Sequence, residues 1–251
     1  MLRSQTIELS DLTPSETSAL ADELYNVHRQ VFGGVSRDTF AEQVLGDGSS
    51  RTRICIYRDE GGQAVGYFAL YRHATTFAGQ ECTVLRADAG LMPAYRGKAS
   101  TWRFGIRETL RYRCRHPFER MFFFELLVHP SSYCLFAERF PEIHPSRKRE
   151  TGPELLQGMA ALADGFGFPS EKGAPLIRFS GWFTKETEED KRKWRASSDR
   201  DARFFLERNP GYGKGDGLAV LIPLSFANIL GAIANDIGLR FRRALRAACR
   251  P

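Results

Sequence analysis

Leu91-Met92-Pro93-Ala94-Tyr95-Arg96-Gly97-Lys98-Ala99-Ser100-Thr101 joins the end of an apolar run to the start of a helical pattern through a short basic loop. At such a strand-to-helix junction the first amides of the helix have no intrahelical partner and point outward at the positive end of the helix dipole. The turn is therefore suited to hold a phosphate. Arg96 and Lys98 add positive charge at the same point.

Upstream, Thr6 to Leu12 reads as a strand, and Thr13-Pro14-Ser15-Glu16 reads as a helix start, with Thr13 as cap and Pro14 in the first helical position. Leu20, Leu24, Val27 and Val31 then recur at helical spacing, and a second helix is expected from Ser36 to Leu45. Arg53 to Arg58 and Ala64 to Tyr71 read as strands joined by a glycine turn, and Glu81 to Leu91 extends the sheet. Downstream, Trp102 to Arg113 reads as a helix, Met121 to Val128 as a strand buried on both faces, and Ser131 to Phe140 as a helix. Leu176 to Phe183 and Leu218 to Ile222 are expected strands, with a charged helix from Glu188 to Glu207 between them. Phe226 to Ala248 is an apolar helix with a strongly basic end.

The order strand, two helices, three strands, basic loop and helix resembles that of the GNAT N-acyltransferase superfamily. Leu91, Pro93, Tyr95, Arg96 and Gly97 fall in register with its acyl-CoA-binding motif, while Ala99 and Thr101 stand where the family normally carries glycines. The resemblance implies an α/β fold with a mixed, mostly antiparallel central sheet of about seven strands flanked by helices. It further implies that Leu91, Met92, Arg96, Gly97, Lys98, Ala99, Ser100 and Thr101 bind acyl-CoA or acetyl-CoA, that backbone amides near Ala89 to Leu91 polarise the thioester, and that the acyl group passes to an amine. Two alternatives stay open. A relative resembling the N-acyl amino acid or acyl-homoserine lactone synthases would take its acyl group from acyl carrier protein, for which the two missing glycines matter less. A non-catalytic module would bind an acyl thioester without turning it over.

The proton acceptor is less evident. Counting back from Arg96, Leu85 and Ala87 occupy the strand positions where the family often places its base. Asp88 is out of phase by one and is expected on the opposite face unless a bulge reverses it, and there it also reads as a partner for Arg86 or another sheet arginine. Glu125 lies inside Phe122-Phe123-Phe124-Glu125-Leu126-Leu127, where it is read either as a desolvated carboxylate with its pKa raised into the range useful to a base or as a member of a structural ion pair. His129 has the intrinsic pKa for proton transfer. The family's thiolate-protonating tyrosine aligns with Phe136, so Tyr133, one turn earlier, is the candidate acid.

The chain has 251 residues, 42% of them hydrophobic, enough for a full core. We expect one domain over residues 1–224, with a helical insertion at about 184–208, and a basic helical tail over 225–251. The formal net charge of +6 suits an acidic partner, an acyl carrier protein or an anionic membrane met by the tail, and nucleic acid is not expected. The five cysteines, at 55, 82, 114, 134 and 249, show no metal-ligand spacing, so no metal is expected. The amino terminus shows no signal-peptide pattern, and a cytoplasmic location is the expectation.

Overall fold

The computed structural model describes residues 2–46, 48–96, 101–171 and 174–248. In chain order the elements are β1 (Arg3–Glu8), α1 (Pro14–Val31), β2 (Phe32–Gly33), α2 (Arg37–Leu45), β3 (Arg51–Arg58), β4 (Ala64–Phe77) and β5 (Gln80–Leu91). Next come α3 (Thr101–Arg115), β6 (Met121–Leu127), α4 (Pro130–Ala137), α5 (Pro153–Gly165), β7 (Ser170–Glu171), β8 (Ala174–Phe179) and β9 (Phe183–Thr184). The chain closes with α6 (Glu188–Arg195), α7 (Arg200–Arg208), β10 (Asp216–Pro223) and α8 (Phe226–Ala248).

Local chemistry sets several of these boundaries. Thr13 and Glu16 form a capping box at the start of α1: the Glu16 amide donates to Thr13 Oγ1 (3.3 Å) and the Thr13 amide to Glu16 Oε2 (2.8 Å). Ser36 caps α2 in the same way, its Oγ accepting from the Thr39 amide at 3.2 Å. The strands form one sheet in the order β1-β3-β4-β5-β6-β10-β8-β7. Since β7 is a two-residue edge, seven longer strands carry the sheet.

Helices α1, α2 and α5 cover one face, where Leu24, Val27, Phe40 and Met159 pack on Ile54, Tyr67, Val84 and Phe124. The other face packs Trp102 of α3, Tyr133 of α4, Phe205 of α7 and Ile229 of α8 against Leu85, Phe123 and Val220. Helices on both faces satisfy a sheet whose central strands are apolar on both sides.

All pairings in this sheet are antiparallel except that of β5 with β6. The parallel ladder runs only through Thr83↔Met121, Val84↔Phe122 and Leu85↔Phe123. Beyond it the two strands diverge, yet each stays paired on its outer side: β4 holds β5 as far as Leu91, and β10 holds β6 as far as Leu127. The gap is therefore a wedge between two intact half-sheets.

Two expected elements are divided. The charged helix expected over Glu188–Glu207 is two helices, because Asp199 turns its carboxylate onto the amides of Asp201 (2.7 Å) and Ala202 (3.1 Å) and starts α7 afresh. The strand expected over Leu176–Phe183 stops at Phe179. Gly181 adopts φ +77°, a conformation that favours glycine, and Phe183–Thr184 then pairs with β2 in a separate two-stranded ribbon.

His28 of α1 is buried among Phe32, Phe40 and Trp182, with Nδ1 3.1 Å from the Tyr67 hydroxyl. Burial, and after it the charge of Lys185, lowers its pKa to about 4. Because the folded value lies below the unfolded value, the unfolded chain takes up a proton that the folded chain refuses. The stability linked to His28 is complete above about pH 6.5 and is lost as the pH falls toward 4. Denaturant titrations should show the wild type losing about 3 kcal/mol more than His28→Phe across that window. Parallel pH profiles would show that His28 is not the group responsible.

Candidate active site

The wedge between β5 and β6 opens into a cavity of about 1490 Å³ that reaches both faces of the sheet. On the α3–α4 side its wall is largely apolar, with Trp102, Ile106, Leu135, Phe136 and Phe140. On the opposite side it meets α2, the end of α5 and the turn around Trp182. The volume exceeds that of a typical single-ligand pocket, about 300–1,000 Å³.

Glu125 occupies the vertex of the wedge. Its Oε2 accepts the Ala87 amide (3.0 Å), and its Oε1 accepts the Leu126 amide (2.9 Å) and Arg86 Nη2 (2.9 Å). The carboxylate thus takes over from the ladder two residues after the last strand pair, at the next β5 amide that faces β6. Arg86 is held on its far side by the rings of Phe166 and Phe168, with its guanidinium carbon 5.0 and 4.8 Å from their centroids. Glu125 is therefore not an isolated carboxylate but an ion-pair member, with a buried cationic partner and two backbone donors.

Asp88 lies on the same face as Arg86 and also lines the cavity. No bulge interrupts β5 against β4, so the strand alternation that separates Asp88 from Ala87 holds. Its Oδ2 accepts the Tyr71 hydroxyl at 2.9 Å, and its charge also acts on Arg86. Ala87 donates into the wedge, and the same alternation directs the amides of Ala89 and Leu91 into it, where no strand lies.

The structure places Tyr133 elsewhere. It is fully buried and donates its hydroxyl to the Pro145 carbonyl at 3.0 Å, outside the cavity wall, and burial raises its pKa well above that of a free phenol. Near the end of β6 the cavity wall instead holds His129 and Ser131. His129 Nδ1 lies 2.6 Å from Ser131 Oγ and its Nε2 lies 2.8 Å from Oε1 of the buried Glu186. Trp194 stands edge-on to the imidazole at 5.4 Å. Burial, and after it the charge of Glu186, pushes the neighbouring Tyr212 up to about 12. Glu186 had no signal in the sequence, since it lies 57 residues from His129, just after the two-residue strand β9.

Of the expected donor-binding residues, Leu91, Arg96 and Thr101 line the cavity, with Arg96 exposed at its rim. Met92 is buried in the core on the α1 side and is not in the cavity wall. Gly97, Lys98, Ala99 and Ser100 lie outside the described residues. Among the described residues no cluster of histidine, cysteine or carboxylate side chains has the arrangement of a metal site.

No family model matches the chain, and no curated protein matches it in sequence. Among solved structures, the chain is similar to the ribosomal-protein-S18-alanine N-acetyltransferase of Escherichia coli, with 10% identity, a TM-score of 0.37, and coverage of 90% of this chain and 96% of that one. It is also similar to Arabidopsis thaliana NAA60 in complex with acetyl-CoA, with 13% identity, a TM-score of 0.31, and coverage of 50% and 76%. A third similar structure is a conserved protein of unknown function from Enterococcus faecalis V583, with 12% identity and a TM-score of 0.36. There the match covers 56% of this chain and spans a third of the other's length, 33%. With scores of this size the chemistry of the site stands on its own geometry.

Replacing Glu125 by Gln removes the charge opposite Arg86 and sets an amide NH₂ group against backbone donors. The variant should lose about 3 kcal/mol of stability in urea, as expected when one member of a buried pair is removed. A loss below about 1 kcal/mol would show that this carboxylate does not hold the vertex of the wedge.

Proposed function

We propose that the protein is an N-acyltransferase that takes an acyl group from an acyl-CoA thioester seated in the wedge and passes it to an amine arriving from the opposite side of the sheet. The observation that carries this reading is the wedge itself. It joins a largely apolar compartment beside α3 and α4 to a polar one around Asp88, with inward-facing strand amides at the junction.

Most requirements of the reaction find a residue. The amides of Ala89 and Leu91 polarise the thioester carbonyl and stabilise the tetrahedral oxyanion. Arg96, at the rim of the cavity near the start of α3, takes the donor's phosphates. Asp88 is the proton acceptor for the attacking amine, and the Tyr71 hydroxyl holds its carboxylate toward the cavity. The departing thiolate, a tolerable leaving group, takes its proton from water, and Ser131 with the His129–Glu186 pair forms the polar wall near the start of α4. Glu125 serves as a positioning residue: it keeps Ala87, and with it the strand that carries Asp88, at the correct distance from β6.

Calorimetric titration with CoA and thiol-release assays over a panel of amines test this reading. Arg96→Ala should raise the Kd for CoA roughly tenfold. Asp88→Asn should lower kcat by about 100-fold with CoA affinity unchanged. Absence of CoA binding by the wild type would overturn the donor assignment. Binding without thiol release for any amine would favour a module that senses the thioester.

A further inference from the structure

Among the described residues seven large apolar side chains are exposed, and five of them lie on α8: Phe226, Leu230, Ile237, Phe241 and Leu245. They recur at spacings of four and seven and so share one face of the helix. Ile237 and Phe241 are 63% and 65% exposed. A sixth, Phe118, sits beside the start of this stripe. Its turn is tied down by Arg113, which donates to the carbonyls of Pro117, Glu119 and Leu224 and lies over the Phe226 ring.

The first half of α8 is fastened to the body of the protein. Asn228 bonds to both the amide and the carbonyl of Glu142, Asn235 donates to the Arg139 carbonyl, and Asp236 pairs with Arg139 at 3.0 Å. After Asp236 no described side chain of the helix is buried. This free half is basic: Arg240, Arg242, Arg243 and Arg246 occur in seven residues. Arg240 and Arg242 each stand about 100° around the helix from Phe241, one on either side of the stripe. Arg242 has no ionic partner among the described residues.

We propose that α8 docks in the plane of an anionic lipid bilayer, its apolar stripe in the headgroup boundary and its arginines reaching lipid phosphates from both edges. No helix among the described residues is long and apolar enough to cross a membrane, so the contact is interfacial. Charge complementarity selects this occupant. The helix's one carboxylate, Asp236, is buried between Arg139 and Arg240, so a second copy laid along the stripe would set arginines against arginines. An apolar strip about 28 Å long from Phe226 to Leu245, bordered by arginine, matches a plane better than the curved surface of a small acidic protein.

The test is sedimentation of the full-length protein with phosphatidylcholine vesicles, with and without phosphatidylglycerol. The wild type should bind the anionic vesicles, more weakly as salt rises, and leave the neutral ones in suspension. The double variant Ile237→Glu/Phe241→Glu changes only exposed side chains, and its fold is checked by circular dichroism. It should bind more than about tenfold more weakly, and Arg242→Gln about fivefold more weakly. Failure of the wild type to bind anionic vesicles at low salt would overturn the proposal, as would equal binding by the double variant. A dimer in sedimentation velocity that Phe241→Glu dissolves, without vesicle binding, would assign the stripe to a second copy. Capture of purified acyl carrier protein without vesicle binding would assign it to that partner. None of these outcomes depends on whether the chain transfers acyl groups.

Discussion

The arrangement of this molecule turns on the contact between Glu125 and the β5 backbone. A parallel pair of strands in the middle of a sheet would ordinarily continue its ladder, because every unpaired buried amide has a cost. Here the ladder stops after Leu85↔Phe123, and a carboxylate from β6 satisfies the next β5 amide that faces β6. Arg86 balances that charge, and two phenylalanine rings hold Arg86 in turn. The sheet can therefore open at its centre without leaving its first unpaired donor unsatisfied.

From that vertex the rest of the site follows geometrically. With β4 and β10 holding the outer sides of the diverging strands, the wedge is as rigid as the two half-sheets that form it. Its walls differ because the two faces of the sheet are covered differently. The helices α3 and α4 line one side with Trp102, Ile106 and Phe136, while Asp88 and Tyr71 lie on the face covered by α1 and α2. Such a passage from an apolar compartment to a polar one suits a reaction whose donor is long and apolar near its reacting end and whose acceptor must lose a proton. A second polar station stands near the end of β6, where His129 caps α4 and its Nε2 meets the Glu186 carboxylate just after β9.

Much of the fold was legible in the sequence, because its signals act over a few residues. The Thr13 cap, the apolar spacing along α1 and the glycine turn between β3 and β4 are each complete within one segment, and each lies where the pattern places it. The errors also arose locally. The charged stretch after Glu188 carries helix formers on either side of Ser197-Ser198-Asp199, where Asp199 competes for backbone amides and divides it. The run from Leu176 has strand propensity throughout, yet Gly181 turns the chain toward β2.

The site residues divide in the same way. The sequence alone determined that a basic turn follows an apolar strand at Leu91–Thr101, that a carboxylate lies within the buried strand β6, and that Asp88 and Ala87 face opposite ways, because strand alternation and charge are properties of adjacent residues. Only the tertiary structure decided that Glu125 meets Arg86, that Tyr133 points into the body at Pro145, and that Glu186 reaches His129. Those outcomes depend on contacts between residues 39, 12 and 57 positions apart. The partner that a buried polar group finds is set by which strands and helices pack side by side, and no periodicity within a single segment carries that information.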